Sequence, residues 1–200
     1  MPAASGYAYE PKLDGFRCLI RTGDAFEARS RRFWNMTPLL PELARFPAPG
    51  IFDGELIAFD AAGQPDFLAL TDRMLLTRDQ SIPVAFVAFD VLSLDGEHLM
   101  AKPYWQRRQI LESLNLAGSH WCTAPSFDDG SALWAVVERD ELEGVVAKPL
   151  NSRYAPGDRR AWLKVKNRAY WKYELEREAA IEQRHRHSRR RAHLTLVPST

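Results

Sequence analysis

Residues 10–17 read Glu10-Pro11-Lys12-Leu13-Asp14-Gly15-Phe16-Arg17. A lysine is ordinarily a protonated, well-hydrated surface cation, and on this octapeptide alone Lys12 has two readings. In one, Lys-x-Asp-Gly is a plain turn between strands. In the other, Lys12 is a nucleophile. An attacking amine has to shed its proton, and a lysine does so more readily when it is desolvated or close to another cation. Gly15 permits either a close backbone approach or an unusual φ. The grouping suits a covalent lysyl intermediate with a phosphate-bearing substrate. Four segments further along the chain decide between the two readings.

Outward from this stretch, short β-type runs dominate up to residue 166. Segments 7–10, 16–21, 25–29, 51–59, 84–92, 144–148 and 162–166 read as strands, with turn residues such as Gly23-Asp24 between them. Segment 84–92 is apolar on both faces except for Asp90, the pattern of a buried central strand. Helices are expected at 38–46, 67–76 and 103–114, and from a cap at Asp128 or Asp129 to residue 139. Trp171, Leu175 and Ala179 recur every four residues and predict a terminal helix over 170–190.

Chemistry-bearing residues fall in the strands. Asp53 and Glu55 flank Gly54, so alternation points both carboxylates to one face. Two acids on an apolar strand need a cation or hydrogen-bond donors; a divalent metal or a ribose hydroxyl would serve Glu55, and an edge-strand surface pair is the plain alternative. Phe89 could stack on a nucleobase or simply fill the core. Glu143 and Lys148 stand at either end of an apolar run. Lys164 and Lys166 share one face of another strand and repel each other unless anions lie against them. A triphosphate, or a nucleotide phosphate with a DNA phosphate, meets that need.

In chain order, Lys12-x-Asp14-Gly15-x-Arg17, Asp53-Gly54-Glu55, Phe89-Asp90, Glu143-Gly144-Val145-Val146-Ala147-Lys148 and Trp162-Leu163-Lys164-Val165-Lys166 resemble the covalent nucleotidyltransferase superfamily. That group includes ATP-dependent DNA ligases, RNA ligases and mRNA capping enzymes. The connecting text is most like bacterial ATP-dependent DNA ligases of the end-joining type, over roughly residues 7–170. The resemblance implies an α+β fold, a nucleotidyltransferase (ATP-grasp-like) domain with antiparallel sheets flanking a nucleotide cleft. It spans residues 1–168, with a C-terminal helix and basic tail over 169–200. It implies that Lys12 attacks the α-phosphorus of ATP and holds AMP as a phosphoramidate, with Leu13 beside the nucleotide. Glu10 would contact the adenine amino group and Phe89 would stack on the base. Arg17 and Arg31 would hold ribose or phosphate. Glu55 and Glu143 would bind ribose or a Mg2+ (or Mn2+) ion, and Lys148, Lys164 and Lys166 would neutralise phosphates. The implied partner is nicked or broken duplex DNA. The rivals are an RNA ligase or other covalent nucleotidyltransferase, and a non-catalytic nucleic-acid-binding remnant.

Two departures stand out. Ser30-Arg31-Arg32 leads into Phe33 and Trp34, where the family carries a glycine or another small turn residue. Ligases of this kind continue into an OB-fold domain, whereas 34 residues follow Lys166 here. The expectation is therefore that a separate OB-fold or DNA-repair protein supplies that part. The segment with which NAD-dependent ligases grip nicotinamide has no counterpart, which favours ATP.

Bulk properties agree. Hydrophobic residues at 46% and charged residues at 26% exclude a disordered chain. No apolar run reaches membrane-span length and no signal-peptide pattern opens the chain; no membrane role is expected. Cys18 and Cys122 are the only cysteines, too few for a disulfide framework or a zinc site, so a reducing cytoplasm is the expected location. Residues 1–166 hold 19 Lys/Arg against 22 Asp/Glu, and residues 167–200 hold 8 against 4. The positive excess is thus at the C-terminus, where the run 184–193 is either a phosphate-backbone contact or a solvated tail.

Overall fold

The computed structural model describes residues 6–60, 63, 65–158, 161–170 and 182. Two sheets face each other. The smaller has the order β1 (Tyr7–Pro11), β8 (Gly144–Pro149), β9 (Leu163–Lys166). The larger runs β3 (Glu27–Ser30), β2 (Phe16–Thr22), β4 (Gly50–Ala58), β5 (Val84–Leu94), β6 (Glu97–His98). A short β7 (Trp121–Thr123) lies beside β5 in the one parallel pairing of the described strands. This is the α+β architecture with antiparallel sheets expected from sequence. Only β6 and β7, two and three residues long, have no counterpart in that expectation, because such short runs show no periodicity.

Strand alternation separates core from cleft. In β2 and β4, Cys18, Ile20, Phe52 and Leu56 enter the main core, while Arg17, Asp53 and Glu55 take the opposite face. In the smaller sheet Tyr9, Val145 and Ala147 pack with Leu133 and Val137 of α3 (Gly130–Arg139). Glu10, Val146, Lys148, Lys164 and Lys166 alternate onto the other face. Two polar faces are thereby left opposite each other. The backbone bond from Lys12 N to Gly144 O, 2.9 Å, fixes the turn after β1 against β8.

Gly15 serves a close approach and not a special φ: a Cβ there would stand 2.1 Å from the carbonyl oxygen of Leu56. Gly54 is demanded by packing, since its Cβ would lie 2.5 Å from the Phe86 ring.

Helices differ from the sequence expectation where proline or a buried charge intervenes. Segment 38–46 splits into 3₁₀ turns Thr37–Leu39 and Pro41–Arg45. Pro41 has no N–H and drives Leu40 out of the helical region, to φ −131° and ψ 50°. The segment 67–76 is α-helical only over α1 (Phe67–Thr71), capped by Asp66. It then widens to a π-type turn over Asp72–Leu76, which aims fully buried Arg73 at Leu39 O and Glu42, each 2.7 Å away. Asp129, not Asp128, caps α3, accepting from the amides of Ser131 and Ala132. The helix α2 (Tyr104–Ser113) is locked to β5 by a buried bidentate pair, in which Arg107 Nε and Nη2 donate to Asp90 at 2.8 Å each. Apart from Tyr170 and Glu182, the expected terminal helix and the whole basic run lie outside the described residues.

Candidate active site

Lys12 follows β1 directly and meets Glu143, which precedes β8; the ammonium is ion-paired to Glu143 Oε1. Lys166 Nζ stands 3.6 Å from the same oxygen. The other oxygen, Oε2, is buried and has no hydrogen-bond partner among the described residues. Glu55 faces this pair. Burial pushes its carboxyl up to about 8, against the pull of Lys12 and Arg17 and with the push of Asp53 and Glu143. An orphaned carboxylate oxygen and a desolvated carboxyl beside it suit a divalent cation. Among the described residues no group of three or more His, Cys, Asp or Glu gathers to hold one unaided. An ion here would therefore complete its shell with phosphate and water, as Mg2+ ordinarily does.

The aromatic end of the slot is built differently. Glu10, on β1, is buried; it receives Lys148 Nζ at 2.7 Å, the Tyr104 hydroxyl, and Arg108 Nη1 at 3.6 Å. Lys148 also donates to Phe89 O at 2.9 Å. Its ammonium lies 4.6 Å from the ring centroid of Phe89, 5.0 Å from that of Tyr104 and 4.3 Å from that of Trp162. Lys148 is thus held with Glu10 among rings and is not paired with Lys164 or Lys166. Glu10, Lys12, Leu13, Arg17, Glu55, Phe89, Lys148 and Lys164 all border one slot of about 70 Å3.

Beside that slot opens a cavity of about 400 Å3, bordered by Arg17, Arg31, Lys164, Tyr154 and Trp162. Arg17 bridges the two spaces. Its Nε and Nη2 donate to Asp53 at 3.0 and 2.6 Å, and the Tyr154 hydroxyl donates to the same carboxylate at 2.8 Å. Burial works against the charged guanidinium, but the bonds and charge of Asp53 outweigh it and keep Arg17 firmly protonated. Asp53 is therefore satisfied within the protein, in contrast to Glu55. Lys164 is pushed below the usual lysine range by burial first, then by Lys12, Arg17 and Arg31. A third cavity, of about 410 Å3, lies on the other side of Lys12 and is bordered by Asp14, Asp140, Glu141 and Glu143.

The structure thus brings most site residues expected from sequence to one slot, with Glu143 on Lys12 and the third cavity, Arg31 on the adjoining cavity and Lys166 on Glu143. Sequence reasoning missed Tyr104, Arg108 and Tyr154, and gave Trp162 no role. Tyr154 touches Asp53 across 101 positions of chain, a contact with no local signal. The arrangement presents an amine, two carboxylates and a fan of cations to one small volume, as phosphoryl transfer at an amine requires.

Comparison with known proteins agrees. The profile of the family described as "ATP dependent DNA ligase domain" matches residues 3–166. The multifunctional non-homologous end joining DNA repair protein LigD of Mycobacterium tuberculosis is 37% identical over 173 residues, which cover 82% of this chain and 22% of LigD. DNA ligase C2 of Mycolicibacterium smegmatis is 35% identical over 179 residues, 81% of this chain and 50% of that protein. The crystal structure of the ligase domain of M. tuberculosis LigD superposes with a TM-score of 0.71 at 34% identity, covering 82% of this chain and 54% of that one. Mycobacterial DNA ligase D complexed with ATP and MES superposes at 0.69, with 35% identity and coverage of 82% and 55%. The chain therefore spans about half of these solved ligase chains and 22% of LigD.

Proposed function

The chain belongs to the ATP-dependent DNA ligase domain family, and from that premise we propose that Lys12 takes AMP from ATP and passes it to the 5′-phosphate of a DNA strand break. The observation that carries this reading is Lys12, ion-paired to Glu143, bordering a slot whose other walls include Glu55, Arg17, Lys164 and Phe89. Family membership favours this over an RNA ligase or a non-catalytic remnant.

The Lys12 ammonium first gives a proton to Glu143, in contact with it; the neutral Nζ attacks the α-phosphorus, an N–P bond forms, the P–O bond to pyrophosphate breaks, and the second proton of the nitrogen leaves to solvent. Arg17 and Lys164 spread positive charge over the phosphoryl oxygens. Glu10 and Phe89 receive the base, with Lys148, Tyr104 and Arg108 bracing Glu10. In the second step an oxygen of the DNA 5′-phosphate attacks the same phosphorus, the N–P bond breaks, and Lys12 regains its proton. The 3′-hydroxyl then attacks the activated 5′-phosphate and releases AMP. Glu55 and Glu143 are the residues to hold Mg2+, which would neutralise charge on the phosphates. Arg31, on the cationic cavity, suits the DNA phosphate. Two free thiols, Cys18 and Cys122, and the lack of a membrane-crossing helix among the described residues support work in the cytoplasm.

The test is incubation with α-labelled ATP and Mg2+, then a denaturing gel and a chase with nicked duplex. The label is expected on Lys12, lost in acid and stable in base, and transferred to DNA. Lys12→Arg is expected to abolish it, since a guanidinium does not deprotonate near neutral pH; labelling that persists in this variant would refute the assignment.

A further inference from the structure

Phe33 stands where neither backbone nor solvent favours it. Its φ is 61°, in the left-handed region that a bulky residue seldom occupies. Its side chain is 77% exposed and belongs to neither hydrophobic cluster. A tight turn imposes the conformation. Phe33 N donates to Ser30 O at 2.8 Å, Ser30 N to Trp34 O at 3.0 Å, and Trp34 N to Ser30 Oγ at 3.1 Å. A bridge between Arg29 and Asn35 closes the turn. The backbone is therefore held firmly while the ring stays outside the core. Glycine or asparagine would make the same turn with less strain and less exposed apolar surface. Strain kept without a packing gain is the mark of a task outside the fold.

The surroundings of the ring supply the task. Phe33 borders the cavity of about 400 Å3 together with Arg17, Arg31 and Lys164, and Arg17 and Lys164 also border the Lys12 slot. Asp158 is the acid among the cavity's lining residues, against those three cations. Burial, then Lys12, Arg17 and Arg31, push Lys164 toward losing its proton, a crowding that a seated phosphate relieves. An exposed ring beside phosphate-binding cations is how proteins hold a nucleotide out of its stack, cation to backbone and ring to base. At a strand break the terminal base has lost a covalent neighbour, so it costs least to unstack.

We propose that Phe33 is a stacking platform for the nucleobase at a DNA strand break. Arg17, Arg31 and Lys164 take the phosphate, and the ring takes the face of the adjoining base, which holds the strand end beside the Lys12 slot. This rests on the reading of the chain as a DNA-joining enzyme.

The experiment titrates wild type, Phe33→Ala, Phe33→Tyr and Phe33→Asn, in EDTA, into a nicked duplex carrying a fluorescent aminopurine at the 5′-phosphate end, and into the same duplex unbroken. Wild type is expected to change the aminopurine emission on the nicked duplex and not on the unbroken one. Phe33→Ala is expected to lose that change and about 5- to 150-fold in affinity for the nicked duplex, the worth of one base stacked on a ring. Phe33→Tyr is expected to keep both. Phe33→Asn, relieved of backbone strain, is expected to melt no lower than wild type yet to bind like Phe33→Ala, which separates stacking from structure. Equal emission or equal affinity in wild type and Phe33→Ala overturns the platform, as does an equal loss on the unbroken duplex. A lower melting temperature for Phe33→Asn makes the ring structural and also overturns it. A wild-type dimer that Phe33→Ala abolishes gives the ring to a second copy of the chain instead. Failure of the wild type to label Lys12 overturns the joining-enzyme reading and the platform with it, whereas labelling with DNA binding unaltered by Phe33→Ala overturns the platform alone.

Discussion

At Glu55 a half-buried, desolvated carboxyl links the proposed ligand site to stability. Its folded-state value of about 8 lies above the ordinary 4.5. Between those two pH values the folded protein keeps a proton that the unfolded chain has released. In ligand-free, metal-free protein this makes stability fall as pH rises through that window and level off above it. Glu55→Gln removes the dependence without removing volume. We expect the variant to melt above the wild type at pH 8.5 and to converge with it near pH 4.5, as thermal unfolding across a pH series would show. Self-adenylation is expected to fall by about 10² or more, in the range lost when one electrostatic partner of a transition state is removed. A variant that melts lower at pH 8.5 would make Glu55 a structural residue instead.

Elements were legible from sequence wherever a strand alternates, and illegible wherever a contact crosses the chain. Alternation in 51–59 put Asp53 and Glu55 on one face, as found. Nothing local revealed that Asp53 would be consumed by Arg17 and Tyr154 while Glu55 stayed free to serve a ligand. The 38–46 segment showed helical residues, yet Pro41 broke it. The interaction that seats α2 on β5 was equally hidden: Asp90 read only as an odd polar residue in an apolar strand. Its pairing with Arg107 is fully buried, so removing one partner strands a charge. Arg107→Ala is expected to cost about 3–5 kcal/mol in urea unfolding, and Asp90→Leu with Arg107→Leu to recover much of it. A loss under 1 kcal/mol for Arg107→Ala would mean that water reaches Asp90. Tyr154→Phe acts between elements too, since it frees the β8–β9 connection from Asp53. It is expected to lower adenylation at fixed ATP several-fold, with little change in melting temperature and with most of the effect in KM.

For the whole molecule, charge is divided by position: residues 1–166 are net acidic, and the positive excess follows. Two groups of cations are therefore to be tested for polyanion binding, the cavity at Arg17, Arg31 and Lys164 and the basic run 184–193. Truncation after Glu182 removes five arginines. It is expected to weaken binding to nicked duplex and to flatten its dependence on salt, because each phosphate contact contributes to that slope. Lys12 labelling is expected to survive. An unchanged slope would assign DNA binding to the cleft alone.

Lys12 borders both the slot, which Arg17 and Lys164 share with the cationic cavity, and an acidic cavity lined by Asp14, Asp140 and Glu141. Among the described residues, the charges favour an anion's approach to the amine on the Arg17 and Lys164 side over the acidic side. On the proposed chemistry, departing pyrophosphate and arriving DNA phosphate are both expected on that side. The expected outcome of the proposed lysyl intermediate is a double-displacement rate law, with added pyrophosphate competing against DNA and running the first half-reaction backwards; a ternary-complex rate law would overturn it.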